Sequence, residues 1–328
     1  MALSTANLCA VCRHFKTIED LCTLSLVCKK FRHVMGQLTS NPVPLTEKTI
    51  HYFTNLKDLH LYTPQDNTFG NYNVPESTPK THTFNRIVVN YEVSFKTTKD
   101  LPDAVYTDII YTKEDRQQYG SQLPKSTNSI GNLCYGGYKW LTKIDIPTRV
   151  TSIRYGSFWD CAALTAVTIS HSIKEVGVSC FRGCEALREV VLPNSLTKLG
   201  GYSFRGCTAL TKVDLPKYCF IIEDSTFAEC SSLKVVVLKE ETKEIGKDCF
   251  ASCVELESLV IPKNVKKIGE NCFYKCIKLT SISIPQGVES IGNGCFGECV
   301  ELKSIKLPSS IQTDNLCFSE PVQIEKYE

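Results

Sequence analysis

The stretch GNGCFGEC at 292–299 offers three chemistries at once. Gly292, Gly294 and Gly297 spell G-x-G-x-x-G, the spacing that lets a backbone approach a pyrophosphate. Cys295 and Cys299 stand four apart, as two metal ligands on one helix face would. The chain holds 18 cysteines, enough for a disulfide framework. A second thiol group, Cys9, Cys12, Cys22 and Cys28, invites a zinc reading, but its spacing matches no familiar site and every member suits helix packing. The histidines are His14, His33, His51, His60, His82 and His171. They form no metal-spaced pair, and neither a nucleophile elbow nor a phosphate loop is present, so the chain is read as no enzyme and as needing no cofactor or metal.

Internal repetition decides among the thiol readings. Phe296 recurs every 23 residues as Phe273, Phe250, Phe227, Phe204, Phe181 and Phe158, with Tyr135 one step earlier. Three residues after each Phe comes a cysteine, from Cys161 to Cys299, and six after comes a leucine, from Leu164 to Leu302. Nine and eleven after come aliphatic residues such as Val236 and Leu238, usually followed by proline. Glycine falls four before the next Phe at Gly177, Gly200, Gly246, Gly269 and Gly292. A fixed period of this length marks a stacked repeat. Gly294 then belongs to a slot shared with Ser179, Ser225, Asp248 and Asn271, residues that favour a helix N-cap. The dinucleotide motif is a by-product of one repeat. It has no preceding strand and no downstream ribose carboxylate.

Each unit reads as L-x-x-V-x-L-P, a return segment ending in I-G, and a capped turn carrying C-F-x-x-C. The residues at +6, +9 and +11 point inward from a short strand and the turn before it. Neighbouring strands pair in parallel, and stacking supplies the core that one unit cannot build. The cysteine at +3 is a one-per-repeat apolar column, where a thiol acts as a small hydrophobe. Cys180, Cys249, Cys272 and Cys295 share a slot with Ser157, Ser203 and Thr226, which asks for small size rather than a ligand.

Upstream the repeat degenerates but persists in Leu56, Leu59 and Leu61, in Phe84, Ile87 and Val89, and in Tyr106, Ile109 and Tyr111. Residues 1–45 differ. Leu8, Val11, Cys12 and Phe15 fall at helical spacing, Thr17 and Asp20 resemble a capping pair, and Leu21, Leu24, Leu26, Val27, Cys28, Phe31 and Val34 make a second apolar stripe. Lys29, Lys30, Arg32 and His33 cluster at its end, and Asn41-Pro42 and Pro44 terminate it. The organisation expected is a helical cap at 1–45, irregular repeats with long loops at 46–134, regular repeats at 135–318 and a tail at 319–328.

Packing does not fix the outward strand positions, eight and ten after each Phe. In mid-array they present Glu189, Val191, Lys212, Asp214, Val235, Val237 and Val260, and the adjacent return segment breaks pattern with Tyr218 and Phe220. An apolar patch rimmed by charge beside a pattern violation is the candidate partner site. The net charge of +2 argues against a nucleic-acid binder. No apolar run is long enough to span a bilayer. No secretory signal opens the chain and no Asn-x-Ser/Thr acceptor occurs, so the expected location by these signals is cytoplasmic, with the thiols reduced.

The unit IGENCFYKCIKLTSISIP (268–285) resembles the BspA-type leucine-rich repeat over roughly 135–318. The fold class expected is α/β leaning to β. It is a curved right-handed leucine-rich-repeat solenoid, with a parallel sheet on the concave face and short helical turns, capped by an N-terminal α-helical hairpin. The resemblance implies a non-enzymatic recognition protein, adhesion or receptor-like, with host or extracellular-matrix proteins as partners and a cell-surface location reached by a non-standard route. Separately, EDLCTLSLVCKKFRHVM (19–35) resembles the second half of an F-box, without its Leu-Pro opening. That resemblance implies an intracellular alternative, in which Leu21, Leu24, Leu26, Val27 and Phe31 bind a cullin-ligase adaptor.

Overall fold

Strand pairing follows the apolar periodicity on both sides of Ile110. A computed structural model describes residues 11, 14–15, 17–27, 34–71, 82–312, 316 and 318–328. It separates into two compact units, Met1–Ile110 and Tyr111–Glu328.

In the first unit a helix spans Ile18–Val27. Its start is fixed reciprocally: the Asp20 amide donates to Thr17 Oγ1 at 3.2 Å, and the Thr17 amide donates to Asp20 Oδ2 at 3.1 Å. The capping pair expected from sequence is therefore present. Cys9, Cys12 and Cys28, most of the first expected helix and the basic cluster at 29–33 lie outside the described residues. Strands Asp58–Leu61, Arg86–Ser94 and Val105–Tyr111 run parallel, with Leu59 opposite Ile87, Leu61 opposite Val89, and Val89 opposite Tyr106. The degenerate repeats are thus real strands in register. Asn41, expected to help end a helix, follows the bridge residue Ser40, which pairs with Asp58. It is buried, and its amide brackets His60, donating to the His60 carbonyl at 2.7 Å and accepting the His60 amide at 2.7 Å.

The second unit is a parallel-sheet solenoid built mostly of strand and turn. The expected strands occur at Ala166–Thr168, Glu189–Val191, Lys212–Asp214, Val235–Val237, Ser281–Ser283 and Ser304–Pro308, with the central residue buried in each three-residue strand. The return segments form a second parallel sheet from two-residue strands, among them Ser152–Ile153, Glu175–Val176, Lys198–Leu199, Ile221–Ile222, Glu244–Ile245 and Lys267–Ile268. Two residues are too few for alternation to show in sequence. Gln323–Tyr327, read as tail, pairs in parallel with Ser304–Pro308. A helix at Lys113–Tyr119 was also missed, although its signal was legible: Thr112 and Asp115 form a full capping box.

The turn carrying C-F-x-x-C is not continuous helix. Bonds such as Trp159 N to Gly156 O and Cys161 N to Phe158 O close tight turns, while alternate amides reach the next coil, as Phe158 N to Cys180 O and Asp160 N to Arg182 O. This geometry corrects the N-cap reading. The slot of Ser179, Ser225, Asp248, Asn271 and Gly294 has φ between 51° and 68°, in the left-handed region. Its residues are there because small polar side chains and glycine tolerate that region best, whereas an N-cap residue is extended.

Inside, Tyr135 and the phenylalanines from Phe158 to Phe296 stack in one column, with ring centroids 5.2 to 5.8 Å apart. The cysteines at +3 form a second column and are hydrogen-bonded as well as buried. Cys184 Sγ donates to Phe158 O, Cys230 Sγ to Phe204 O and Cys276 Sγ to Phe250 O, each at 3.2 Å. A thiol thus satisfies the backbone of the preceding coil. In the smaller column, Ser157 donates to Arg154 O at 2.8 Å and Thr226 to Glu223 O at 2.6 Å, but the buried Ser203 hydroxyl has no partner. Ser203→Cys should therefore raise stability by about 1 kcal/mol in chemical denaturation, because a strong polar group is freed from desolvation and a soft one takes its place. A loss of stability would show that the hydroxyl is satisfied.

Candidate protein-binding surface

The outward strand positions lie where the repeat arithmetic puts them. Glu189, Val191, Lys212, Asp214 and Val235 are all exposed, and Val237 is half-buried. Val191 is 51% exposed and Val260 83%. Glu189, Val191, Lys212 and Asp214 share the lining of one depression of about 510 Å³. Arg188, Asn194 and Lys239 complete its polar edge. Sequence reasoning passed over Arg188 and Asn194 because they lie just beyond the strand ends, where alternation carries no signal. Lys239 stands where other coils have Pro193, Pro216 or Pro262, and its Nζ reaches Asp214 Oδ1 at 2.5 Å. Both groups are partly in water, so this ion pair orients Asp214 more than it stabilises the fold.

The depression lies where the sheet is interrupted. Ala166–Thr168 pairs with Glu189–Val191, and Lys212–Asp214 pairs with Val235–Val237, but these are two separate ladders. The second sheet is interrupted at the same junction, between Lys198–Leu199 and Ile221–Ile222. The turn columns run through unbroken: Phe181 and Phe204 stack at 5.4 Å, and Cys207 Sγ donates to Phe181 O at 3.2 Å. This junction introduces the segment Tyr218-Cys219-Phe220-Ile221, followed by Glu223 in the glycine slot. A local violation of the repeat pattern thus coincides with an opening of both sheets.

Not every predicted residue joins the depression. Val235 and Val237 continue the same face on the next paired strand, with Val237 opposite Asp214, and Val260 bridges to Ser283 further along. Tyr218 and Phe220 do not line it. Phe220 leads into the short strand Ile221–Ile222 of the second sheet, with Lys243 Nζ 5.2 Å from its ring centre, and Tyr218 meets it edge-on at 6.5 Å. The single patch inferred from sequence is therefore two faces, because a chain leaving one sheet turns before it enters the next. Of the adaptor-binding set, Leu21 is 2% exposed and belongs to the core of its unit. The side chains of Leu24, Leu26, Val27 and Phe31 lie outside the described residues.

Among the described residues no cluster of His, Cys, Asp and Glu could hold a metal ion, and no helix is long and apolar enough to cross a membrane. Desolvation pushes the Cys161, Cys230 and Cys299 thiols up from 9.0 to about 12, far from the thiolate that nucleophilic or ligand chemistry needs.

A family model described as BspA type leucine-rich repeat region, in six copies, matches residues 118–220 and 197–325. A leucine-rich repeat protein from Bacteroides ovatus ATCC 8483 is similar at 23% identity and TM-score 0.58, over 87% of this chain and 77% of that one. A T. pallidum leucine-rich repeat protein aligns at 21% identity and TM-score 0.38, over 66% and 77% of the two chains. A leucine-rich cell surface protein from Faecalibacterium prausnitzii A2-165 aligns at 17% identity and TM-score 0.42, over 84% and 85%. Of these three, the first is close enough to bear on the fold. No curated protein matches the chain.

Proposed function

Because the chain belongs to the BspA type leucine-rich-repeat family, we propose that it is a protein-recognition solenoid whose partner is read by the face around Glu189, Val191, Lys212 and Asp214. One observation carries this reading. Val191, half exposed, lies in a depression rimmed by Glu189, Lys212 and Asp214, at a junction where, among the described residues, both sheets are interrupted. Desolvating such an apolar centre inside a charged rim is how protein interfaces gain affinity and register. No catalytic group enters the proposal. The role is adhesion or receptor-like binding at a cell surface, a setting that the family resemblance favours.

The adaptor reading rests on one specific feature, the capped helix Ile18–Val27 that begins the F-box-like stretch. Affinity capture on the immobilised full chain distinguishes the two, with extracellular-matrix proteins and a cullin-ligase adaptor offered as separate inputs. A matrix protein retained by the native chain should be lost on Val191→Glu, by about tenfold in Kd, at unchanged Tm. Equal retention by both forms would eliminate this face as the site. Retention of the adaptor alone would move the function to the helix.

A further inference from the structure

Amide bonds between successive coils follow the 23-residue step on both sides of one junction and lapse across it. In the return segments, Thr197 N donates to Lys174 O and Gly200 N to Val176 O, each at 2.9 Å. Further along, Lys243 N donates to Phe220 O at 2.7 Å and Gly246 N to Ile222 O at 2.8 Å. The same step would carry Phe220 N to Thr197 O and Glu223 N to Leu199 O, and neither bond forms. In the strand segments, Arg188 N reaches Thr165 O at 3.0 Å and Lys234 N reaches Thr211 O at 2.9 Å. Between them Thr211 N stands 3.5 Å from Arg188 O, at the limit of a hydrogen bond.

The strand ladder is interrupted elsewhere too, as between Val235–Val237 and Val260, but there the second sheet continues from Glu244–Ile245 to Lys267–Ile268. Between the coils of Phe181 and Phe204 the turn carries the short bonds, Phe181 N to Ser203 O and Gly183 N to Arg205 O, each at 2.8 Å. The interior changes at the same place. The inward position fifteen after each aromatic holds Ile173 and Leu196 before the junction and Val265 and Val288 later, but the buried Cys219 and Thr242 directly after it. Their smaller side chains make fewer contacts with the coils on either side, and Cys219 Sγ reaches Leu196 O only at 3.7 Å.

We propose that this junction is a hinge, dividing the second unit into one block that ends at Gly200 and another that begins at Gly201, which flex about the bonded turn and unfold separately. A stacked array shares stability only through contacts between neighbouring coils. A junction bonded along one segment of three therefore passes little of it on. Glu189 and Val191 stand on the first block and Lys212 and Asp214 on the second, so flexing changes the width of the depression that all four line. The division holds whether or not that depression binds a partner.

The test is made on the full chain. Its two tryptophans, Trp140 and Trp159, both precede the junction. Trp159 is half-buried, with the Arg182 guanidinium 5.8 Å from its ring centre, so tryptophan emission follows the first block. Hydrogen exchange of peptides covering residues 243–246 follows the second. Val167 and Ile282 are buried in strands on opposite sides of the junction. Val167→Ala should lower the urea midpoint of the emission change by about 1 M and leave exchange at 243–246 unaltered. Ile282→Ala should speed that exchange about tenfold and leave the emission midpoint in place. Movement of both readouts by either variant would mean one cooperative array and would overturn the proposal.

Discussion

Gly269→Ala should cost the array about 3 kcal/mol or more, among the largest losses that a single added methyl can produce. The reason is distance and not conformation. A Cβ at this position would lie 2.4 Å from the carbonyl carbon of Gly246 and 2.4 Å from the amide nitrogen of Lys247. Both are backbone atoms, so no rotamer relieves the contact. The coils must separate, and the bonds from Gly269 N to Ile245 O and from Lys266 N to Lys243 O stretch with them. Nearest-neighbour coupling then spreads the damage to both sides. Gly137→Ala is the control. Its φ is 71° and nothing lies within 4 Å of the added carbon, so it should cost only about 1 kcal/mol of left-handed strain. Urea denaturation of the two variants measures the difference, and equal losses would refute the close-contact explanation. Arg154 and Glu223 occupy the same slot in two coils, and the Glu223 coil is the one where the second sheet is interrupted.

The second large effect concerns the thiols. Refolding in oxidised glutathione should fail almost completely, whereas refolding under a reductant succeeds. The chain has 18 cysteines, and thirteen of them are free and buried. Those at +3 use the S–H itself, donating to a carbonyl about 3.2 Å away. A disulfide or a mixed disulfide removes that proton and adds atoms where close packing leaves no volume. Once folded, the column is protected. N-ethylmaleimide should label no more than the five cysteines outside that set until denaturant is added. Rapid labelling of Cys253 or Cys276 in the native chain would show that the column is open to solvent.

The same burial sets a pH limit. For Cys161 and Cys230 the thiol rises from 9.0 to about 12 on folding. A raised pKa means that the folded state holds its proton longer than the unfolded chain does. Thiol-linked stability is therefore complete below pH 9 and is lost as pH climbs from 9 through 12. A denaturation midpoint that stays flat across that window would contradict the burial.

How much of this was legible in advance depended on the length of each element. The aromatic and thiol columns could be read from Phe158 to Phe296 and from Cys161 to Cys299, because one buried residue per coil leaves an unbroken register. The second sheet could not. Glu175–Val176 and Lys267–Ile268 are two residues each, and their pairing is set by the neighbouring coil rather than by their own alternation. The slot of Ser179 and Asp248 was correctly grouped but wrongly explained, since N-caps and left-handed turns select overlapping residue types.

The partner surface divides in the same way. Periodicity alone told which side chains at 189, 191, 212 and 214 point outward, because a strand alternates wherever it lies. It could not tell that both sheets are interrupted between the coils of Phe181 and Phe204, or that the outward side chains of that junction line one depression. Nor could it separate Tyr218 and Phe220 from Val235, since residues close in sequence reach different faces once the chain turns. Composition and period determine what is buried in a stacked coil. Where a strand ladder is interrupted is decided by contacts between segments 23 residues apart, and only the folded chain brings those together.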